Sequence, residues 1–326
     1  MEEIKLNLPS PIETITVDGI SFFLKRDDLT HPDFSGNKAR KLHFYLNNHF
    51  SYINKLISYG SNQSNAMYSM SVLAKLKGWD FEYYTDHISE YLSQNPHGNY
   101  AKALENGMKI ITNNEQLAEY CHCETLKKSW QSSEFNGLPQ SFGLHNDKSV
   151  LFINEGGRNK EASFGLEIMA KEIVDWQIAN KLQELKIFLP SGTGTTALFL
   201  QKHCSLIAAS YSLQTLVYTT PCVGDKEYLI KQFKELENNE IYYPIIIEPK
   251  KKYHFGKLYK ELYNIWLKLQ KQTGIEFDLL YDPIGWSVVT DNLDIFSKNM
   301  LYIHQGGLLG NISMIERYKR KFKDLV

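Results

Sequence analysis

Lys38 stands in the run Ser35-Gly36-Asn37-Lys38-Ala39-Arg40-Lys41, at the start of a predicted helix. A desolvated lysine near other cations has a lowered pKa and can form a Schiff base. The competing reading is a solvated basic helix start. Ser191-Gly192-Thr193-Gly194-Thr195-Thr196 lies between a predicted strand and a predicted helix. Its small residues let backbone N–H groups approach a phosphate at the positive end of the helix. The hydroxyls of Thr193, Thr195 and Thr196 add donors. The run lacks the Gly-Lys-Ser/Thr of a Walker loop and the third glycine of a dinucleotide fingerprint. A tight strand-to-helix turn is the alternative. Gly60-Ser61-Asn62-Gln63-Ser64-Asn65 also follows a strand and opens a helix. Its hydroxyl and amide groups suit a carboxylate or phenolic oxygen, or simply cap the helix.

These runs sit at junctions of a regular alternation. Strands are predicted at Ile20–Leu24, Lys55–Tyr59, Phe81–Tyr84, Lys109–Thr112, Val150–Ile153, Lys186–Leu189, Leu213–Tyr218, Tyr243–Ile247, Phe277–Tyr281 and Met300–Ile303. Helices are predicted at Asn37–Asn48, Ser64–Lys77, Tyr100–Asn106, Ser163–Ala179, from the glycine-rich loop to about Lys202, and at Gly256–Gln272. Such alternation implies parallel strands covered by helices, an α/β fold. Ligands of open α/β sheets bind at the carboxyl ends of strands, which singles out the loops after Tyr59, Leu189, Tyr281 and Ile303. Ser129–Lys148 reads as a long loop or domain connection.

The 326 residues suit two domains or one large one. A hydrophobic share of 43% and a charged share of 22% are those of a globular protein, not a disordered one. Lys plus Arg total 36 against 37 Asp plus Glu, so no global charge favours nucleic acid or anionic lipid. No stretch reaches the roughly 20 apolar residues of a membrane helix. The start of the chain has no secretory pattern, and the four cysteines are too sparse for a disulfide scaffold. A cytoplasmic protein is expected. Cys121-His122-Cys123 is spaced too tightly for a common zinc site, so no metal is expected.

The three junctions together carry an amine, an oxyanion site and a phosphate cup. With Lys25-Arg26-Asp27-Asp28, Glu155-Gly156-Gly157, Gly165, Asp282-Pro283 and His304-Gln305-Gly306-Gly307, they follow in one order along nearly the whole chain. In this the chain resembles the 1-aminocyclopropane-1-carboxylate deaminase/D-cysteine desulfhydrase family, pyridoxal-phosphate enzymes of the tryptophan-synthase-β-like fold (fold type II). Gly36-Asn37-Lys38-Ala39-Arg40-Lys41-Leu42 and Gln63-Ser64-Asn65 are the specific pieces. The resemblance implies a twisted, mostly parallel sheet in a large domain, residues 1–45 and 155–326, with a smaller α/β domain, 46–154, inserted. The cofactor would lie between them, in a homodimer. It implies that Lys38 holds pyridoxal phosphate as a Schiff base and that Asn65 bonds the cofactor's phenolic oxygen. Ser64 would contact the substrate or carry a proton, and Gly192, Thr193, Gly194, Thr195 and Thr196 would hold the phosphate. The implied reaction takes a small amino acid to an α-keto acid and ammonia by β-elimination.

Four positions depart from the family pattern. Ala66 replaces a His or Gln, Gly285 a tyrosine, Trp286 a Thr or Glu, and Gln305 a threonine. Two compensations are expected: Trp286 stacks near the cofactor, and Gln305 bonds the pyridine nitrogen. Tyr253, in Tyr253-His254-Phe255-Gly256, is a candidate substrate contact or an aromatic staple at a helix start. His304 is expected to pack beside the loop. The alternative to an enzyme is a catalytically weak cofactor-binding protein with a handling or regulatory role, which the departures favour.

Overall fold

The computed structural model describes residues 5–34, 36–112 and 149–323. Ser35, Cys121-His122-Cys123 and the expected loop Ser129–Lys148 lie outside the described residues. In chain order come β1 (Ile12–Val17), β2 (Ile20–Arg26), α1 (Gly36–Asn47), β3 (Lys55–Tyr59), α2 (Asn65–Lys77), β4 (Asp80–Tyr84), α3 (Glu90–Gln94), α4 (Gly98–Glu105) and β5 (Met108–Ile111). Next are β6 (Val150–Phe152), α5 (Ala162–Ala179), β7 (Glu184–Ser191), α6 (Thr195–Ala209), β8 (Gln214–Pro221), α7 (Lys226–Leu236) and β9 (Ile245–Ile246). Last are α8 (Lys260–Thr273), α9 (Asp282–Asp291), α10 (Leu293–Phe296), β10 (Met300–His304) and α11 (Gly310–Lys321). The α/β class expected from the alternation is what forms.

The chain divides into two compact units, Met1–Glu2 with Tyr45–Lys160, and Glu3–Phe44 with Glu161–Val326. The first holds a four-stranded parallel sheet in the order β5-β4-β3-β6. The second holds a six-stranded sheet in the order β1-β2-β10-β7-β8-β9. Among the described strands only β1 runs antiparallel, against β2. Buried central strands need no polar face, which is why Ile187-Phe188-Leu189 of β7 and Leu301-Tyr302-Ile303 of β10 are continuous apolar runs.

Local signals set several ends. Ser64 caps α2 by accepting the Ala66 N–H, and Gly78 closes it in the left-handed conformation. Helix α6 runs to Ala209, past the expected Lys202, because Cys204 and Ala208 continue its buried face. Helix α8 begins at Lys260, not Gly256, after a turn. Phe277–Tyr281 is not a strand. Asp278 Oδ1 accepts the Leu280 and Tyr281 N–H groups at 2.8 and 2.6 Å, which folds the segment into a turn ahead of α9.

One charge cluster holds α1 inside the second unit. Arg40 is fully buried; its guanidinium bonds both carboxylate oxygens of Asp27 at 3.0 and 2.8 Å. It also reaches both oxygens of Glu172, on α5, at 2.7 and 2.8 Å. Lys25, equally buried, donates to Glu172 at 2.7 Å and to the Ser10 carbonyl at 3.1 Å. Ser10 Oγ donates to Asp27 at 2.6 Å. Two cations face two anions, so the cluster is neutral. Burial works against the Asp27 charge, and Arg40 and Lys25 overcome it, holding its carboxyl below the usual range. Replacing Arg40 by Met leaves two buried carboxylates short of a cation. We expect a loss of roughly 3–5 kcal/mol, read as a fall in the urea midpoint of the unit that contains it.

Candidate active site

In the second unit the carboxyl ends of β7 and β10 meet the start of α1. Gly36 makes this meeting close. Its φ is +30°, and a Cβ there would sit 2.1 Å from the Gln305 carbonyl oxygen. The next residue, Asn37, donates its backbone N–H to that carbonyl at 3.1 Å. The Asn37 amide donates to Gln305 Oε1 at 2.7 Å and to Thr196 Oγ1 at 3.3 Å. Its own Oδ1 accepts from Lys38 Nζ at 3.1 Å. One asparagine thus links Lys38, the first turn of α6 and the loop after β10. Burial lowers the Lys38 amine to about 8, against an opposing pull from Asp278. Lys38 is thus a half-buried amine of lowered pKa rather than a solvated one.

The glycine-rich loop joins β7 to α6. The first N–H groups of a helix have no acceptor within the helix. Gly194, at the cap of α6, supplies no side chain to satisfy them. Thr193 and Thr195 bring their hydroxyls to within 3.1 Å of each other. Gly192 keeps the approach open, since a Cβ there would meet the Tyr281 hydroxyl at 3.3 Å. An amine of lowered pKa, uncapped helix N–H groups, paired hydroxyls and a gap that a side chain would narrow suit a carbonyl cofactor bearing a phosphate. Pyridoxal phosphate fits this donor set.

Two expected compensations take other forms. Trp286 is 1% exposed and lies in the core. One face stacks on Tyr302 at 4.6 Å, and Phe22 and Phe277 meet it edge-on. The stacking surface expected for a cofactor is taken by Tyr302, so Trp286 is a core residue. Gln305 spends its amide on the protein, donating to the Pro190 carbonyl at 2.7 Å while accepting from Asn37. It is a strut between β7 and α1. Gly285 has no room for the tyrosine of the family pattern, because a Cβ would lie 2.6 Å from the Tyr302 hydroxyl. The tyrosine that does reach the glycine loop is Tyr281, one helical turn earlier. Its signal in the sequence is that spacing of four residues.

Tyr253 packs edge-on against Tyr259 at 5.0 Å, with Lys251 over its ring. It also borders the apolar cluster of Cys222, Leu262 and Ile284 that Tyr281 joins. His304 packs on Phe277 at 4.9 Å. Its Nδ1 accepts the Gly306 N–H, so Nε2 donates to the Glu276 carbonyl at 2.7 Å. Sequence reasoning also missed a buried carboxyl pair. Asp282 accepts from Tyr302 at 2.8 Å and from the Asp278 N–H at 2.9 Å. Burial raises both carboxyls, Asp278 to about 6. The assumed strand hid this pair, because a four-residue spacing meets only in a turn or helix.

Ser64 and Asn65 belong to the first unit, at the loop between β3 and α2. Ser64 Oγ accepts from Ala66 N at 3.1 Å, and Asn65 opens the helix. Gln63 is fixed by His97 and Asn99. Among the described residues, no group of three or more His, Cys, Asp or Glu side chains is placed to hold a metal ion. No helix there is long and apolar enough to cross a membrane.

No family model matches the chain. A curated protein of Oryza sativa subsp. japonica, named "Putative D-cysteine desulfhydrase 2, mitochondrial", is 23% identical over 92% of this chain and 81% of its own length. One of Thermotoga maritima, named "Putative 1-aminocyclopropane-1-carboxylate deaminase", is 23% identical over 92% of each chain. Among solved structures, an ACC deaminase homologue superposes with a TM-score of 0.72 at 20% identity, over 99% of this chain and 95% of that one. A threonine deaminase from T.th. gives 0.58 at 12% identity, over 91% and 92%. The resemblance to the 1-aminocyclopropane-1-carboxylate deaminase/D-cysteine desulfhydrase family is borne out, and the fold is that of fold type II pyridoxal-phosphate enzymes.

The Lys38 environment makes a direct prediction. A depressed folded-state pKa means that the ammonium is favoured below pH 8 and the free amine above it. Labelling of Lys38 in the cofactor-free protein by an amine reagent, followed by peptide mass spectrometry, should rise with a midpoint about 8. Asp278→Asn removes the charge that favours the ammonium. The midpoint should then fall by roughly one pH unit.

Proposed function

We propose that this chain is a pyridoxal-phosphate-dependent lyase or deaminase that converts a small amino acid to an α-keto acid and ammonia. The observation that carries the reading is the link from Lys38 through Asn37 to Thr196, which joins an amine of lowered pKa to the glycine loop. The relatives' names make D-cysteine the first substrate to try. Its elimination releases sulfide, and water then completes the keto acid and ammonia. In this reading the second unit is the large cofactor domain and the first is the inserted small one. The assembly is a cytoplasmic homodimer.

When bound, the cofactor supplies an electron sink that makes the substrate's Cα proton removable. Lys38 would hold the cofactor at Nζ, and the same nitrogen can carry a proton. Asn37 orients that nitrogen through Oδ1. Backbone N–H groups of Gly194, Thr195 and Thr196, with the hydroxyls of Thr193 and Thr195, hold the phosphate, and Gly192 leaves it room. Tyr281 adds a phenol beside the cup. Asn65 bonds the phenolic oxygen of the ring. Ser64 receives or returns a proton at Oγ. Tyr253 is the candidate aromatic wall on the substrate side. Gln305 keeps Asn37 in place.

A catalytically weak cofactor-binding protein is the second reading. It is favoured by Ala66 and by the first turn of α9, where Pro283, Ile284, Gly285 and Trp286 are all buried. Absorbance alone does not separate the two, because both bind the cofactor. Wild type and Lys38→Ala should therefore be titrated with pyridoxal phosphate, then with D-cysteine, D-serine, L-serine and 1-aminocyclopropane-1-carboxylate, with keto acid measured in parallel. We expect a visible band that Lys38→Ala lacks, and keto acid from D-cysteine but not from the cyclopropane. A Lys38-dependent band without keto acid from any of them supports the second reading. No band at all sinks both.

A further inference from the structure

Glu155-Gly156-Gly157 has no role in the reading above, yet Glu155 meets the Ser64 loop inside the first unit. Gly60, with φ +139°, ends β3 there. A Cβ on it would lie 2.7 Å from the Tyr83 hydroxyl and 2.9 Å from Glu155 Oε1. A phenol from β4 and a carboxyl from the turn after β6 therefore converge over one backbone atom, and only glycine permits it. Tyr83 is 1% exposed. Its hydroxyl donates to the Ser61 carbonyl at 3.3 Å. The Ser64 side chain faces the same hydroxyl closely enough to pull the phenol's pKa down against burial. Ser64 Oγ already accepts the Ala66 N–H. With Tyr83 donating elsewhere, the Ser64 hydrogen points at Tyr83 and one lone pair of Oγ stays open.

We infer that Tyr83 and Glu155 are positioning residues that form a proton relay behind Ser64. Ser64 Oγ takes the substrate proton on its open lone pair and passes its own hydrogen to Tyr83 Oη. Tyr83 turns its hydrogen from the Ser61 carbonyl to the Glu155 carboxylate, which becomes neutral. The reverse sequence returns the proton. No group other than the substrate, the serine, the phenol and the carboxyl is needed. The charged groups around the pair are Arg158, which favours the carboxylate, and Asp86, which disfavours it; Tyr59 also faces Tyr83. Burial raises the Glu155 carboxyl from its ordinary value, which brings its titration toward working pH. Relay function requires the carboxylate, so activity falls as pH drops through its midpoint.

This inference rests on Ser64 carrying a substrate proton, and its test separates the two. The kcat–pH profile for D-cysteine is measured on cofactor-loaded wild type, Glu155→Gln and Tyr83→Phe. Both variants should lose kcat on the order of a hundredfold with KM little changed and the cofactor band intact. Glu155→Gln should also lose the acid limb of the profile. Profiles that superimpose on wild type, or a change in KM alone, overturn the relay. A wild type without band or turnover means that the functional reading has failed. The relay is then decided by infrared titration of the cofactor-free protein, with the Glu155 carboxyl assigned by its loss in Glu155→Gln. Tyr83→Phe removes the hydroxyl that the relay has turning to the carboxylate, so the Glu155 midpoint must rise. An unmoved midpoint overturns the relay. If Tyr83→Phe does not unfold cooperatively, Ser64→Ala replaces it, since freeing the phenol from Ser64 must also move the midpoint.

Discussion

Arg40 is a guanidinium with no access to water, and its neutralisation decides where α1 can lie. Its planar fork meets Asp27 on one side and Glu172 on the other, each through two hydrogen bonds. These anions sit on different elements, so satisfying both pins α1 between the turn after β2 and helix α5. Lys25 supplies the second cation, without which Glu172 would be in excess. A helix fixed at Arg40 is fixed one turn earlier as well. That turn carries Asn37, whose amide then reaches Thr196 and Gln305, and Lys38, whose amine hangs from Asn37.

The chemistry follows from what this anchoring does to one amine. A lysine on a surface helix stays an ammonium at neutral pH and is a poor nucleophile. Held against the loop ends of the second unit, Lys38 loses water, and burial outweighs the attraction of Asp278. The carboxyl of Asp278 is itself lifted by burial and steadied by two backbone N–H groups. The same packing that stabilises the fold therefore lowers the pKa of the lysine. Aromatic residues complete the support. Trp286, Tyr302 and Phe188 fill the space under α9, and the Tyr302 hydroxyl satisfies Asp282.

Much of this was legible in the residues. Lys55–Tyr59 forms as a strand with the expected ends, and α2 begins after Ser64 and stops at Gly78 as its capping residues dictate. Glycine-rich and amide-rich junctions marked the loops that carry polar groups at strand ends. What failed was local context that depends on distant partners. Phe277–Tyr281 looks like an apolar strand, but Asp278 bends it by taking two N–H groups of its own chain. Trp286 is aromatic and stands at a functional position of the family pattern, yet Tyr302, distant in sequence, claims its face. The antiparallel strand β1 was missed although Thr14–Val17 alternates polar and apolar, because the alternating run is only four residues long. The convergence of Tyr83 with Glu155 over Gly60 joins residues far apart in the chain and leaves no local signal.

The central claim is that Lys38 is the lysine prepared for a carbonyl. Incubating the protein with pyridoxal phosphate, reducing it with borohydride and mapping the modified peptides tests this without assuming a substrate. The account predicts that the fixed cofactor is found on Lys38. Modification spread over surface lysines with Lys38 unmodified would contradict it.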